Sequence, residues 1–281
     1  MQKALFIIHF SCICTSLLFS QTIHQWKEYS DEQFEKGNFS IALKEFQRIL
    51  LFDGEHQYND VYNKIATIYY EIEDYDNAIV YYDFAWKATQ NDSIKIELAF
   101  RKILCYFQLK DYYLGLMELY DLPEQLTPYF ERIKNLYLAI CHFGLDEKYL
   151  SLQYFSQIVD SAGLDQIDSC FVQLNKVEKK YDPDKLQMMS ILLPGLGQTF
   201  AGDLKSGLNS ILLLGGIVTY AYHTMLVYSI LDGTLVLTSW FYRYHTGGHR
   251  KAYELGVKKI QEQRNETYLQ VMDITRNRAY N

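Results

Sequence analysis

The sequence predicts an all-α protein, a solenoid of helical hairpins followed by a small helical membrane module. Three observations lead there. Small residues recur at Ala42, Ala78, Gly115 and Ser151, spaced by 36, 37 and 36 positions. The chain holds 25 Tyr and 16 Phe, a supply of rings that suits packing between repeated helices. From Pro183 onward, apolar segments follow one another without the polar face an amphipathic helix would show.

The first twenty residues, MQKALFIIHFSCICTSLLFS, set one Lys ahead of an apolar run from Ala4 to Phe19, with Ser20 before Gln21. That is the layout of a signal peptide, and an uncleaved anchor is the competing reading. Cys12 and Cys14 lie within the run, where too little apolar sequence precedes them for lipoprotein processing. Residues 1–182 carry 17 Lys and Arg against 27 Asp and Glu, net −10, whereas 183–281 carry 10 against 7, net +3. The acidic front excludes nucleic acid as a partner, since phosphate binding needs basic patches. A basic end after an apolar stretch suits the cytoplasmic face of a membrane.

The repeats occupy 21–182 and come as EKGNFSIALKEFQRIL (35–50), EIEDYDNAIVYYDFAW (71–86), QLKDYYLGLMELYDLP (108–123) and GLDEKYLSLQYFSQIV (144–159). Four positions after each small residue stand Phe46, Tyr82, Leu119 and Phe155, and seven after it Ile49, Ala85, Leu122 and Ile158. The i, i+4, i+7 spacing puts these side chains on one helix face. One hairpin cannot bury that face alone, but stacked neighbours can. Cys105 and Cys141 both fall ten residues before the small residue, which makes them equivalent small buried hydrophobes rather than metal ligands; the sequence has no CxxC.

This pattern resembles the tetratricopeptide repeat. The likeness rests on Gly37-Asn38-Phe39 and Ala42/Phe46 in the first unit, and on Tyr62, Ala66, Tyr69, Tyr75, Ala78 and Tyr82 in the second. The family's proline between repeats is missing, and Gly115 and Ser151 replace its alanine. The resemblance implies that the column Phe34, Tyr70, Phe107 and Phe143, eight residues before each small residue, lies along the concave face. There it would form an aromatic ladder for a peptide or helix of a protein partner, with Asn63, Thr67, Phe100 and Leu104 beside it. The competing reading is that four units make only a shallow groove and these rings pack on one another or on the chain's own later helix. DQIDSCFVQLNKVEKKYD (165–182) reads as a closing helix with a polar outer face, and Pro183 marks the domain boundary.

The membrane module is expected over 183–244, with two to three apolar segments at Leu186–Gly202, Gly207–Tyr222 and Met225–Tyr242. Each is short against the roughly 20 residues a span needs. In PGLGQTFAG, Pro194 frees backbone groups, Gly195, Gly197 and Gly202 permit tight turns and close approach, and Gln198 bridges helices or caps carbonyls. The run resembles the membrane segment that follows repeats in some bacterial envelope proteins of the Bacteroidota type, and more distantly the TM2 domain, through Phe200, Gly202 and Asp232. The latter resemblance implies a two-helix membrane module and no chemistry. Asp232 reads as a turn or helix-pairing residue, with ion transfer as the alternative.

The tail, 245–281, is a basic helix; residues 243–281 hold 8 Lys and Arg against 4 acids. With exported repeats, an odd number of crossings would bring this tail inside, whereas a hairpin would leave it on the repeats' side. His245 and His249 flank Gly247-Gly248 with no third metal ligand at useful spacing. GQTFAGDL lacks the Lys and Ser/Thr of a phosphate loop, and no HExxH, GxSxG or dinucleotide fingerprint occurs. The expectation is a non-enzyme without cofactor, metal or small-molecule substrate: a scaffold of the bacterial cell membrane with periplasmic repeats, a protein partner and contact with membrane lipid. The alternative is a membrane transport or channel accessory whose PGLGQ module is the working part.

Overall fold

The computed structural model describes residues 23–54 and 57–278, and among them all regular structure is helical. The expected signal peptide, 1–20, lies outside the described residues. The chain divides into two compact units after Tyr154.

The first unit holds α1 (Ile23–Glu35), α2 (Phe39–Phe52), α3 (Asp60–Glu71), α4 (Tyr75–Ala88), α5 (Asp92–Leu109), α6 (Tyr112–Tyr120), α7 (Pro128–Gly144) and most of α8 (Lys148–Phe155). From α1 to α7 each helix packs on the next. The periodic columns are its core. Ala42, Ala78 and Ser151 are wholly buried, Gly115 is buried, and so are Phe46, Tyr82, Leu119, Ile49, Ala85 and Leu122. Each large apolar side chain so buried contributes about 1.5–3 kcal/mol. Ser151 fits the column because its hydroxyl donates to the Ala139 carbonyl at 2.9 Å, so burial leaves it satisfied.

The turns repeat as faithfully as the core. Gly37, Glu73, Lys110 and Asp146 all have positive φ, between 59° and 73°, and they share the period of the small residues. At each turn the following amide donates back to the residue five before it: Asn38 to Gln33, Asp74 to Tyr69, Asp111 to Tyr106 (all 2.9 Å) and Glu147 to His142 (2.8 Å). This is the left-handed closure that ends a helix by satisfying its last carbonyls. Asp74 and Asp111 then cap the next helix by accepting from the amides of Asn77 and Leu114. Only Gly37 is free of the Cβ penalty of that conformation, which is about 1 kcal/mol. Lys110→Gly, at an exposed position, is therefore expected to stabilise the first unit by about 1 kcal/mol and raise its thermal midpoint by roughly 2–4 °C. Thermal denaturation beside Lys110→Ala, which should give no gain, checks this.

The second unit holds α9 (Ser161–Lys180), α10 (Pro183–Leu192), α11 (Leu196–Phe200), α12 (Leu204–Val227), α13 (Ile230–Val236) and α14 (Tyr242–Arg278), with a π-helical turn at Leu237–Phe241 joining the last two. The boundary expected at Pro183 is thus displaced. The reason is that α9 packs along α14, burying Ile167, Phe171 and Leu174 on one helix and Thr267, Val271 and Thr275 on the other. The tail likewise is no separate element but the far end of α14. Of the three apolar segments, one helix, Leu204–Val227, is long and apolar enough to cross a membrane, with a mean hydropathy of 1.5 over its best window and 17% of that window buried. Leu186–Gly202 is broken into two short helices, and Met225–Tyr242 is split by a turn at Tyr228-Ser229.

Candidate functional site

The expected aromatic ladder does not stand open. Phe34 packs on Phe39 and Phe46 (centroids 6.1 and 6.3 Å), Tyr70 edge-on against Tyr75 (5.5 Å), and Phe107 on Tyr112 and Tyr137 (6.1 and 5.3 Å). Each ring is thus spent on the aromatic that opens the following helix. Phe143 is 8% exposed and Phe100 5%, the latter between Phe130 and Tyr137. Leu104 is half-buried. Thr67 donates to the Asn63 carbonyl at 2.9 Å, and Asn63 Oδ1 is buried without a partner. The rings of Phe34, Tyr70 and Phe107 pack on aromatics of neighbouring helices.

Exposed rings sit elsewhere, most of them on the second helix of a hairpin: Phe52 on α2, Phe84 and Trp86 on α4, Tyr113 and Tyr120 on α6, and Tyr149 on α8, with Tyr29 on α1 and Tyr129 on α7 as well. Of these rings Trp86 borders a groove of about 770 Å³ between α4, α5, α6 and the segment after α6, walled also by Ile96, Leu122 and Pro123. Its floor is Lys102, bonded to Asp83 at 2.8 Å and Glu118 at 2.6 Å. Burial works against the Lys102 ammonium, but the hydrogen bonds to Asp83 and Glu118 outweigh it and hold its pKa above the ordinary lysine value. The two carboxylates neutralise that charge, so the floor is not an anion site. Lys95 lies 5.0 Å from the Trp86 ring, leaving one face of the groove both aromatic and cationic. Leu122 is the one periodic-column residue in its lining; the others come from α4, α5, α6 and the segment after α6 at unrelated register positions, so no column pointed here.

Cys105 and Cys141 are wholly buried, and burial pushes both thiols up to about 12. Cys170 is half-buried and raised by the same cause. A thiol ordinarily titrates near 9, so the unfolded chain releases these protons first, and stability contributed by Cys105 and Cys141 is lost as pH rises from about 9 toward 12. At pH 8, in a chain with Cys12 and Cys14 replaced by Ser, a chromogenic thiol reagent is expected to count one thiol before denaturant and three after.

The PGLGQ run forms the centre of the second unit. Pro194 holds Leu193 extended, which ends α10. Gly195 (φ 88°) reverses the chain; a Cβ there would strike the Gly207 carbonyl, and one on Gly197 would strike the Leu186 carbonyl. Gly202 (φ 93°) makes the next reversal, and Asp203 caps α12 by accepting from the Ser206 amide at 2.9 Å. Gln198 is wholly buried and joins four helices. Its Oε1 accepts from Ser190 at 2.8 Å, while its Nε2 donates to Ser210 Oγ at 3.2 Å and the Gly248 carbonyl at 2.8 Å. Ser190 in turn accepts from the Gly197 amide at 2.9 Å. Both amide hydrogens are used, which leaves Gln198 no donor for a ligand.

The partners Ser190, Ser210 and Gly248 were missed in the sequence. Lone serines in apolar helices were the available signal. Asp232 sits in the first turn of α13, where Ser229 accepts from its amide at 3.1 Å and donates to its carboxylate at 2.7 Å. Ser229 is the capping residue, and Asp232 answers its hydroxyl at a hairpin tip. His245 donates to the Ile191 carbonyl at 3.0 Å, and His249 accepts from Gln187 at 3.2 Å; among the described residues no three His, Cys, Asp or Glu groups converge as metal ligands. Comparisons with protein-family models, curated proteins and solved structures found no match to this chain.

Proposed function

We propose that the protein is a membrane-anchored adaptor of the bacterial envelope, whose tetratricopeptide-like array holds a protein partner while the second unit tethers it. The observation that carries the reading is the groove beside Trp86, a recess of one exposed ring among lysines and carboxylates, on an array whose inner aromatic column is consumed by packing. Exposed aromatic surface of this kind is the usual anchor of protein recognition. The apolar, little-buried helix Leu204–Val227 supports the tether. In the transport-accessory alternative Gln198 and Asp232 would do the work, but one is saturated by its neighbours and the other accepts from the Ser229 hydroxyl that caps α13.

The test is photo-crosslinking in native host membranes from a photoreactive residue at Gln125, on the groove rim, compared with one at Phe107. A discrete protein adduct from position 125, lost on Trp86→Ala, is the expected result. An adduct from position 107 alone would return binding to the inner column. No adduct from either position overturns the adaptor reading.

A further inference from the structure

We infer that α12 and the α13–α14 arm cross a bilayer twice, so that the tip at Tyr228–Asp232 lies on one side and the repeats, α9 and the end of α14 all lie on the other. This rests on the membrane-anchor reading above and fixes its topology. At 1.5 Å per residue, Lys205–Val227 measures about 34 Å and Ile230–His249 about 30 Å, both matching a hydrocarbon core of about 30 Å. Between Lys205 and Arg243 the single Asp, Glu, Lys or Arg is Asp232, and the capping contact with Ser229 puts it at the tip. Tyr228 and Ile230, which flank the turn, are each 76% exposed. Arg243 lies about 7 Å tipward of Gly248, within the reach of a side chain that extends back to the headgroups.

The far end of α14 decides the side. Helical residues run unbroken from Ile230 through the π turn to Arg278. That rod is fastened to α9 at both ends of their contact: Arg264 meets Glu178 at 3.4 Å, both about four-fifths buried, and the Asp160 amide donates to the Arg278 carbonyl at 3.3 Å. A tail so bound to α9 shares its side of the membrane. The repeats share it too: between them and Leu204, α10 (10 residues) and α11 (5 residues) are too short to cross, and α9 carries Asp165, Asp168, Lys176, Glu178, Lys179 and Lys180. The odd number of crossings favoured by the basic tail is therefore set aside: packing against α9 outweighs a modest charge bias.

The experiment uses the full chain with one protease recognition sequence at a time: between Glu124 and Gln125, between Tyr228 and Ser229, or after Asn281. Each form is digested in intact and in permeabilised host cells, and carbonate extraction reports membrane integration separately. The expected pattern is that the first and third sites are cut under the same condition and the second under the opposite one. Cutting of the first and third sites under opposite conditions overturns the inference while leaving the anchor standing. Extraction into the soluble fraction overturns the anchor itself. Should the tip insertion prevent accumulation, Tyr228→Cys probed with a membrane-impermeant maleimide reads the same point. Labelling on the side of the repeats, or no labelling in intact or permeabilised cells, overturns the double crossing.

Discussion

Gln198→Leu is expected to lower the stability of the second unit by about 3 kcal/mol or more, since each buried polar group stripped of its partner costs about 1–3 kcal/mol. Leucine nearly matches the volume but makes none of the bonds. It leaves the Ser190 hydroxyl without its acceptor and removes the amide donor from both Ser210 and Gly248. Those three groups belong to three different helices, so the loss is of one junction rather than of three independent contacts. For a unit of this size the thermal midpoint in detergent should fall by roughly 6–12 °C. Asp232→Asn, at an exposed residue that accepts from the Ser229 cap, should shift it by less than about 3 °C. If the two substitutions act alike, Gln198 is not the junction described, and a working role for it regains ground.

Phe46→Ala should be the most damaging single truncation in the repeats. Phe46 is wholly buried and packs with Ile49, Val61 and Ile65, while Phe34 leans on its edge. Truncating a phenylalanine in such a place costs about 3–5 kcal/mol through lost transfer energy and the cavity left behind. Against a typical total of about 5–15 kcal/mol, that is enough to open the first hairpin at moderate denaturant. Phe34→Ala, at a half-buried ring, should cost clearly less. Urea titration followed by the fluorescence of Trp26, which stacks under Arg48 in the same hairpin, reads both. Equal costs would mean that the inner column is as much core as the periodic one.

The columns through Ala42, Phe46 and Ile49 were legible because burial forces apolar side chains to repeat with the helix, and every hairpin faces the same requirement. The turns were not. Left-handed residues recur with the same period, but only Gly37 announces itself; Glu73, Lys110 and Asp146 adopt the conformation because the flanking helices impose it. The inner column was legible as a column and ambiguous in use, since a ring eight residues before the small residue can face solvent or fold onto Phe39, Tyr75 and Tyr112. The Trp86 groove was invisible for lack of any periodic signal. In the second unit, Pro194, Gly195 and Gln198 stood out as anomalies in an apolar run. The four-helix junction they serve could not be read, because Gly248 lies 50 residues downstream of Gln198. The division after Tyr154 was hidden for the same reason: α9 looks like a cap until its partner at the end of α14 is seen.

That separation has a consequence for biogenesis. When α11 and α12 leave the ribosome, Gln198 can meet Ser190 and Ser210, but its second amide hydrogen has no acceptor until the chain has been made as far as Gly248. A buried donor left unanswered is costly, so the early helices are held in a provisional arrangement that the later one completes. The module is thus locked by its last-synthesised helix. A nascent chain halted before residue 248 should remain exposed to membrane quality control, while a completed chain passes beyond its reach.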